Sequence, residues 1–185
     1  VISVLSRDWW LSAHADSALS IPPFTLMGVA LAIFLGFRNS VSYDRYWEAR
    51  KQWGAVLVAS RSLVRQVVSA MSEECHAAVR LVLVRQVSAF AFALKHQLRK
   101  GDAGADLAAR LTPDVCERLA SQRFKPQGVL LAMAEALAVA RKAGALDDWQ
   151  MLAIDRNLNA LADASGACER IAGTPIPYTY RVLMN

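Results

Sequence analysis

The feature that most constrains this chain is an uncharged apolar run that passes into a basic, aromatic-rich segment with no helix breaker between them. Residues 24–37 carry no charge, and only Thr25 is clearly polar. From Arg38 to Arg65, six cations outnumber two carboxylates. Because cytoplasmic flanks of membrane helices are enriched in Lys and Arg, this order predicts a membrane border near Arg38. The length of the run leaves an alternative open, since it is shorter than the roughly 20 residues that span a bilayer and also fits a buried core helix.

Three bulky apolar residues of the run share one face of the predicted helix. Val29, Ile33 and Phe37 are spaced by four residues, so they form a row that winds by about 40° per step. Gly28 and Gly36 precede two of them, and small residues let membrane helices approach closely. Copies of this row around a symmetry axis would line a narrow apolar pore.

Several separated motifs, in the correct order, resemble those of bestrophins and specifically of their bacterial branch. They are Phe24-Thr-Leu-Met-Gly28, Phe34-Leu-Gly-Phe-Arg-Asn39, Tyr43-Asp-Arg-Tyr-Trp-Glu-Ala-Arg50 and Cys168-Glu-Arg-Ile-Ala-Gly-Thr-Pro-Ile-Pro-Tyr178, with Leu94-Lys-His-Gln-Leu-Arg-Lys100 and Asp155-Arg-Asn-Leu158 between them. The resemblance implies an all-α fold in which a membrane helix continues into a cytosolic helical bundle. It also implies five subunits around a central pore.

The family's hydrophobic neck matches Val29, Ile33 and Phe37, the same residues that the helical row selects. The resemblance places a second, cytosolic constriction at Trp149, at the start of a helix after a short turn, and a slip to Asp148 or Asp147 stays open. Indole rings would obstruct the passage, whereas a ring of carboxylates would favour cations. The structural alternative makes Asp148 a helix N-cap and Trp149 a core side chain.

The polar motif that follows the neck is assigned a structural role. Trp47 is expected to lie at the membrane interface. Arg45 and Glu48, three residues apart on one helix, are expected to pair with each other or across subunits. The motif consists of Arg38, Asn39, Tyr43, Asp44, Arg45, Trp47 and Glu48.

The resemblance divides the chain into a membrane part (residues 1–37), a cytosolic helical domain (38–173) and a Pro-containing lead into a third membrane helix (174–185). Most of the first membrane helix and all of the third and fourth are expected to be missing, so the chain is interpreted as a fragment of a channel subunit. No calcium site is carried over from animal members.

The function implied is that of a pentameric ion channel subunit in a bacterial inner membrane. Its partners would be four further copies of itself, membrane lipid and permeating inorganic ions. Animal bestrophins pass chloride and the bacterial branch includes cation (sodium) channels, so the sign of the ion stays open. The alternative is a non-conducting helical scaffold in which the neck row is a dry packing seam.

Other functions find little support in the sequence. His14, His76 and His96 are far apart, no catalytic constellation is evident, and His96 is interpreted as a surface or capping residue. The net charge of +5 is spread over several segments without a nucleic-acid-binding signature. Glu73, Glu74, Cys75 and His76 lack the spacing of a closed zinc site, so neither metal nor cofactor is expected.

Four long helices are predicted from periodicity and helix-breaking residues. They cover residues 23–66, 74–100, 129–142 and a last segment that begins after Asp148 and ends at Ala172. Phe90, Leu94 and Leu98, four residues apart, are expected to form a core stripe.

Overall fold

A computed structural model describes residues 21–71 and 76–174. Within these ranges the secondary structure consists of α-helices without β-strands. The helices are α1 (Ile21–Ala70), α2 (Ala77–Arg99), α3 (Gly104–Ala108), α4 (Pro113–Ala120), α5 (Lys125–Lys142) and α6 (Asp148–Gly173). The predicted first-helix remnant, the segment Glu73–Cys75 and the lead from residue 175 onward lie outside the described residues.

Helix α1 confirms the prediction of a continuous helix and is longer than expected at both ends. It begins at Ile21, where Pro22 and Pro23 fit a first turn that has no N–H partners to lose, and it ends at Ala70. The chain divides into two compact units, residues 1–45 and 46–185. The predicted membrane border at residue 38 is a different boundary and stays a prediction.

The part of α1 that belongs to the second unit buries one stripe of its surface. The buried residues recur at the three- and four-residue spacing of a single helix face. On α1 they are Val56, Ala59, Leu63 and Val67, and Met71 continues the spacing just beyond the helix end. Arg80 on α2 donates a hydrogen bond of 2.6 Å to the Met71 carbonyl oxygen just beyond the helix end. This contact satisfies a carbonyl that the helix itself leaves unpaired.

Helices α2, α5 and α6 build the core of the second unit. The predicted stripe is confirmed, because Phe90 and Leu94 are fully buried and Leu98 packs against the core. Helix α2 packs most extensively against α5 and also contacts α6. On α6, the side chains of Leu158, Leu161 and Cys168 are buried.

The boundaries of three helices differ from the sequence prediction. Helix α2 begins at Ala77 and ends at Arg99, and Lys100, with φ of 55°, takes the left-handed C′ position. Helix α5 begins at Lys125, four residues early, because Pro126 occupies its first turn and does not interrupt it. Helix α6 begins at Asp148 and includes Gly173.

A polar cluster joins α2 to α3. The Asp106 carboxylate lies 2.8 Å from His96 Nε2 and 3.3 Å from an Arg110 guanidinium nitrogen. Arg110 also stacks on the Phe92 ring at 3.7 Å from its centroid. His96 is therefore a half-buried residue whose ring is hydrogen-bonded to Asp106. The prediction of a surface or capping histidine is wrong on this point.

We expect the Asp106 cluster to make stability depend on acidic pH. The hydrogen bond with His96, aided by the charges of Lys95 and Arg110, holds the pKa of Asp106 below its usual range, although burial acts in the opposite direction. A depressed folded-state pKa contributes stability above the unfolded pKa, near 3.9, that is lost as pH falls through the folded value. The melting-temperature difference between wild type and Asp106→Asn should therefore shrink from about pH 5 to about pH 3. Asp155→Asn is the control, and an undiminished difference for Asp106→Asn would contradict the assignment.

Candidate functional site

The neck row, formed by Val29, Ile33 and Phe37, lies on a part of α1 whose side chains are exposed. Every side chain from residue 22 to residue 44 is exposed. Val29, Ile33 and Phe37 expose 53%, 52% and 60% of their surface, and each lies about 6 Å along the axis from the next. A Cβ at Gly28 or Gly36 would meet no atom within 4 Å. Within the described residues, α1 is therefore not a core helix over this stretch.

Two described helices, α1 and α2, are long and apolar enough to cross a membrane by length and composition. Their environments differ. The most apolar window of α2 is 39% buried, in keeping with its place in the core, whereas that of α1 is 0% buried. Burial thus distinguishes α2, which packs inside its own chain, from α1, whose apolar surface is left exposed by its own chain.

The polar motif after the neck row is mostly exposed. Arg38, Asn39, Tyr43, Asp44 and Trp47 are exposed, while Arg45 and Glu48 are half-buried. The Glu48 carboxylate accepts a hydrogen bond of 2.8 Å from the side chain of Gln52, one turn further along α1. The structural role of this motif stays a prediction.

The turn between α5 and α6 has a defined backbone geometry. The Gly144 N–H donates to the Arg141 carbonyl oxygen at 3.0 Å, and the Ala145 N–H donates to that of Ala140 at 2.9 Å. Gly144 has a φ of 78°, the left-handed conformation that glycine adopts without a Cβ penalty. These bonds form a Schellman motif, and Ala145 and Leu146 are buried beside it.

Each of the next three residues has a distinct role at the start of α6. Asp147 is the N-cap, and its carboxylate accepts from the Gln150 N–H while the Gln150 side chain accepts from the Asp147 N–H. Asp148 instead forms an ion pair, with Arg141 Nε at 2.6 Å from its Oδ1. Trp149 is 81% exposed. The alternative of an Asp148 cap with a core Trp149 is wrong on both counts.

The two carboxylates of the turn are thus engaged locally, and the indole is the large side chain presented to the exterior. The assignment of the constriction to Trp149, Asp148 or Asp147 stays a prediction.

The family model of the bacterial and fungal bestrophin proteins matches residues 1–185. The chain belongs to the bestrophin family.

Relatives of this bestrophin carry names that refer to channels. A voltage-dependent anion channel-forming protein of Ralstonia nicotianae is 46% identical over 176 residues, which cover 95% of this chain and 57% of the relative. A protein of the same description from Escherichia coli is 40% identical over 184 residues, covering 100% of this chain and 59% of the relative. The chain therefore spans less than two thirds of the length of these relatives.

Solved structures agree with the family and with the fold. The crystal structure of a bacterial bestrophin homologue from Klebsiella pneumoniae, solved by Zn-SAD phasing, matches with a TM-score of 0.84 and 39% sequence identity. The match covers 99% of this chain and 66% of that one. The predicted all-α bestrophin fold is confirmed.

Two segments that carry the bestrophin resemblance meet in the fold. Gln97 of the Leu94–Lys100 segment donates a hydrogen bond of 2.6 Å to the carboxylate of Glu169, next to Cys168. Ser165, fully buried, has its hydroxyl 3.5 Å from the same carboxylate oxygen. Burial raises the pKa of the Cys168 thiol, so the thiol stays protonated and acts as a small core side chain. The motif around residue 168 therefore ties the end of α6 to α2.

Other polar interactions were not predicted from the sequence. The Asn157 amide donates a hydrogen bond of 2.7 Å to the Gln66 side chain, which joins α6 to α1 across 91 positions of sequence. Arg141 pairs with Asp148 only because the turn at Gly144 reverses the chain. The sequence signal for this ion pair is the presence of opposite charges on the two sides of a Gly-containing turn. Among the described residues, no three His, Cys, Asp or Glu side chains group to hold a metal ion.

Proposed function

We propose that this chain is the pore-bearing part of a subunit of a pentameric bestrophin ion channel. In the complete subunit, Val29, Ile33 and Phe37 of five copies would form a hydrophobic neck, and Trp149 would form a constriction at the cytosolic exit. The membrane would be the bacterial inner membrane, with residues 38–173 in the cytoplasm. Membership of the bestrophin family and the channel names of the relatives support this proposal.

The observation that carries the proposal is the exposure of α1 from residue 22 to residue 44, combined with the absence of charge from residue 24 to residue 37. Soluble proteins rarely expose contiguous apolar patches of more than a few hundred Å². Lipid and neighbouring copies of the same helix are the coverings that a membrane channel supplies. Gly28 and Gly36 leave room for such close packing.

The mechanism follows from the chemistry of the neck. A ring of aliphatic and aromatic side chains around the pore offers no hydrogen bonds to an ion's hydration shell. A narrow passage lined by such side chains therefore empties of water and blocks conduction. Conduction requires the neck to widen or to become hydrated. The apolar ring itself has no sign preference, so selectivity must depend on charged groups elsewhere along the pore. The names of the relatives favour anions as the permeating ions.

The test is planar-bilayer recording of the complete subunit under a salt gradient, with protein-free bilayers as the control. We expect currents whose reversal potential gives the sign of the permeating ion, and native mass spectrometry should count five copies. Correctly assembled protein that stays silent would contradict the channel and favour a non-conducting helical scaffold. A copy number other than five would contradict the pentameric pore.

A further inference from the structure

We infer that Arg141 controls ion selectivity at the proposed cytosolic constriction, because its guanidinium neutralises Asp148, the residue that precedes Trp149 in the sequence. The inference rests on the proposed channel function and deepens it. It assigns control of the local charge to Arg141 on α5, which is neither part of the proposed neck nor the residue of the proposed constriction.

The ion pair is short and lies at the surface. Arg141 Nε and Asp148 Oδ1 are 2.6 Å apart, and the two side chains are 54% and 76% exposed. An exposed pair of this kind contributes little to fold stability. Its larger consequence is electrostatic, because the position next to the exposed indole carries a compensated carboxylate in place of a free one.

The backbone of the turn is held without the ion pair. The Schellman bonds at Gly144 and Ala145 use backbone atoms only, and the capping box of Asp147 uses Gln150. Neither depends on the Arg141 side chain. Replacing that side chain should therefore change the local charge while the turn and the first turn of α6 remain in place.

The local charge balance shows how large the change would be. Arg141 and Lys142 contribute two positive charges, and Asp147 and Asp148 contribute two negative charges, so the four sum to zero. Losing Arg141 leaves a net charge of −1 in each subunit, and the proposed pentamer repeats that charge around the axis. Rings of carboxylates favour cations in channels. Losing Asp148 instead leaves +1, which favours anions.

The experiment compares reversal potentials of the complete subunit in planar bilayers under a potassium chloride gradient. The variants are Arg141→Gln, Asp148→Asn, the double variant and Arg141→Lys. We expect Arg141→Gln to raise the cation-to-anion permeability ratio about thirtyfold, because one unit charge at about 4 Å in water stabilises a cation by roughly 1 kcal/mol and destabilises an anion by the same amount. Asp148→Asn should lower the ratio, and the double variant and Arg141→Lys should stay near the wild-type value.

The matched control is Arg118→Gln, which breaks the similarly exposed pair of Arg118 with Glu135 at 2.9 Å, between α4 and α5. An unchanged ratio in both single variants, with currents present, would overturn the inference and leave the channel proposal intact. An equal shift in Arg118→Gln would also overturn it, because the effect would then belong to general surface charge. Absence of current from assembled wild type would overturn the channel proposal and this inference together. If Arg141→Gln fails to assemble, the opposite shift in Asp148→Asn decides.

Discussion

Replacing both Ile33 and Phe37 by alanine in the complete subunit should raise the single-channel or macroscopic current about tenfold. A tenfold rise corresponds to a barrier to hydrated ions that is lower by about 1.4 kcal/mol in the wider neck. Both side chains lie on one face of α1 and are exposed in the isolated chain, so they are available to line a shared axis. Removing them enlarges the passage and shortens its dry stretch. Planar-bilayer recording beside wild type measures the effect.

The matched control is the pair Leu31→Ala and Leu35→Ala. These residues are exposed on the same part of α1 but lie on a different helix face, roughly 120° to 160° around the axis from Ile33 and Phe37. Their replacement removes comparable apolar volume and should leave the neck unchanged, so the current should stay near the wild-type level. Equal gains from both pairs would contradict a specific neck row.

The scaffold alternative predicts a different outcome for the same variant. In a dry seam between copies, each large-to-alanine change leaves a cavity and costs about 2 to 5 kcal/mol of assembly stability. The variant would then dissociate at a lower detergent concentration or a lower temperature than wild type, and it would conduct no ions. Current and assembly state, measured on one preparation, therefore separate the two functions.

Local sequence rules predicted the long helices and their core faces. Prolines at the start of α1 and the absence of a breaker afterwards were sufficient to predict a helix of this length. The four-residue repeat of Phe90, Leu94 and Leu98 predicted burial correctly, because helical period and apolarity together determine which face packs. The predicted start of α5 at residue 129 was wrong, because proline is favoured in a first turn and Pro126 occupies that of α5.

The candidate site was predictable only in part. The neck row follows from spacing alone, but the exposure of Trp149 depends on how the turn at Gly144 directs the start of α6. The Arg141 to Asp148 ion pair depends on the same turn. The bond between Gln66 and Asn157 joins residues 91 positions apart, so only the tertiary fold brings them together. Chain topology, which local propensity does not encode, determines these contacts.

Phe90→Ala should be the most destabilising single change in the helical unit. Phe90 is fully buried on α2, the helix that packs most extensively against α5. Deleting its ring removes the transfer free energy of the side chain and leaves a cavity, at a cost of about 3 to 5 kcal/mol. For a domain of this size, that corresponds to a melting temperature lower by roughly 10 °C.

The control for Phe90 is Phe92, the same residue type two positions along the same helix. Phe92 is half-buried, and its ring contacts the Arg110 guanidinium at 3.7 Å. Phe92→Ala should lose a cation–π contact of about 0.5 to 1 kcal/mol together with part of its burial, and so destabilise less. Thermal unfolding of the complete subunit in detergent, followed by circular dichroism, measures both variants. Equal losses would mean that the helical stripe does not determine the core, whereas partial recovery in Phe90→Leu would show that the lost volume, and not the aromatic ring as such, accounts for the cost.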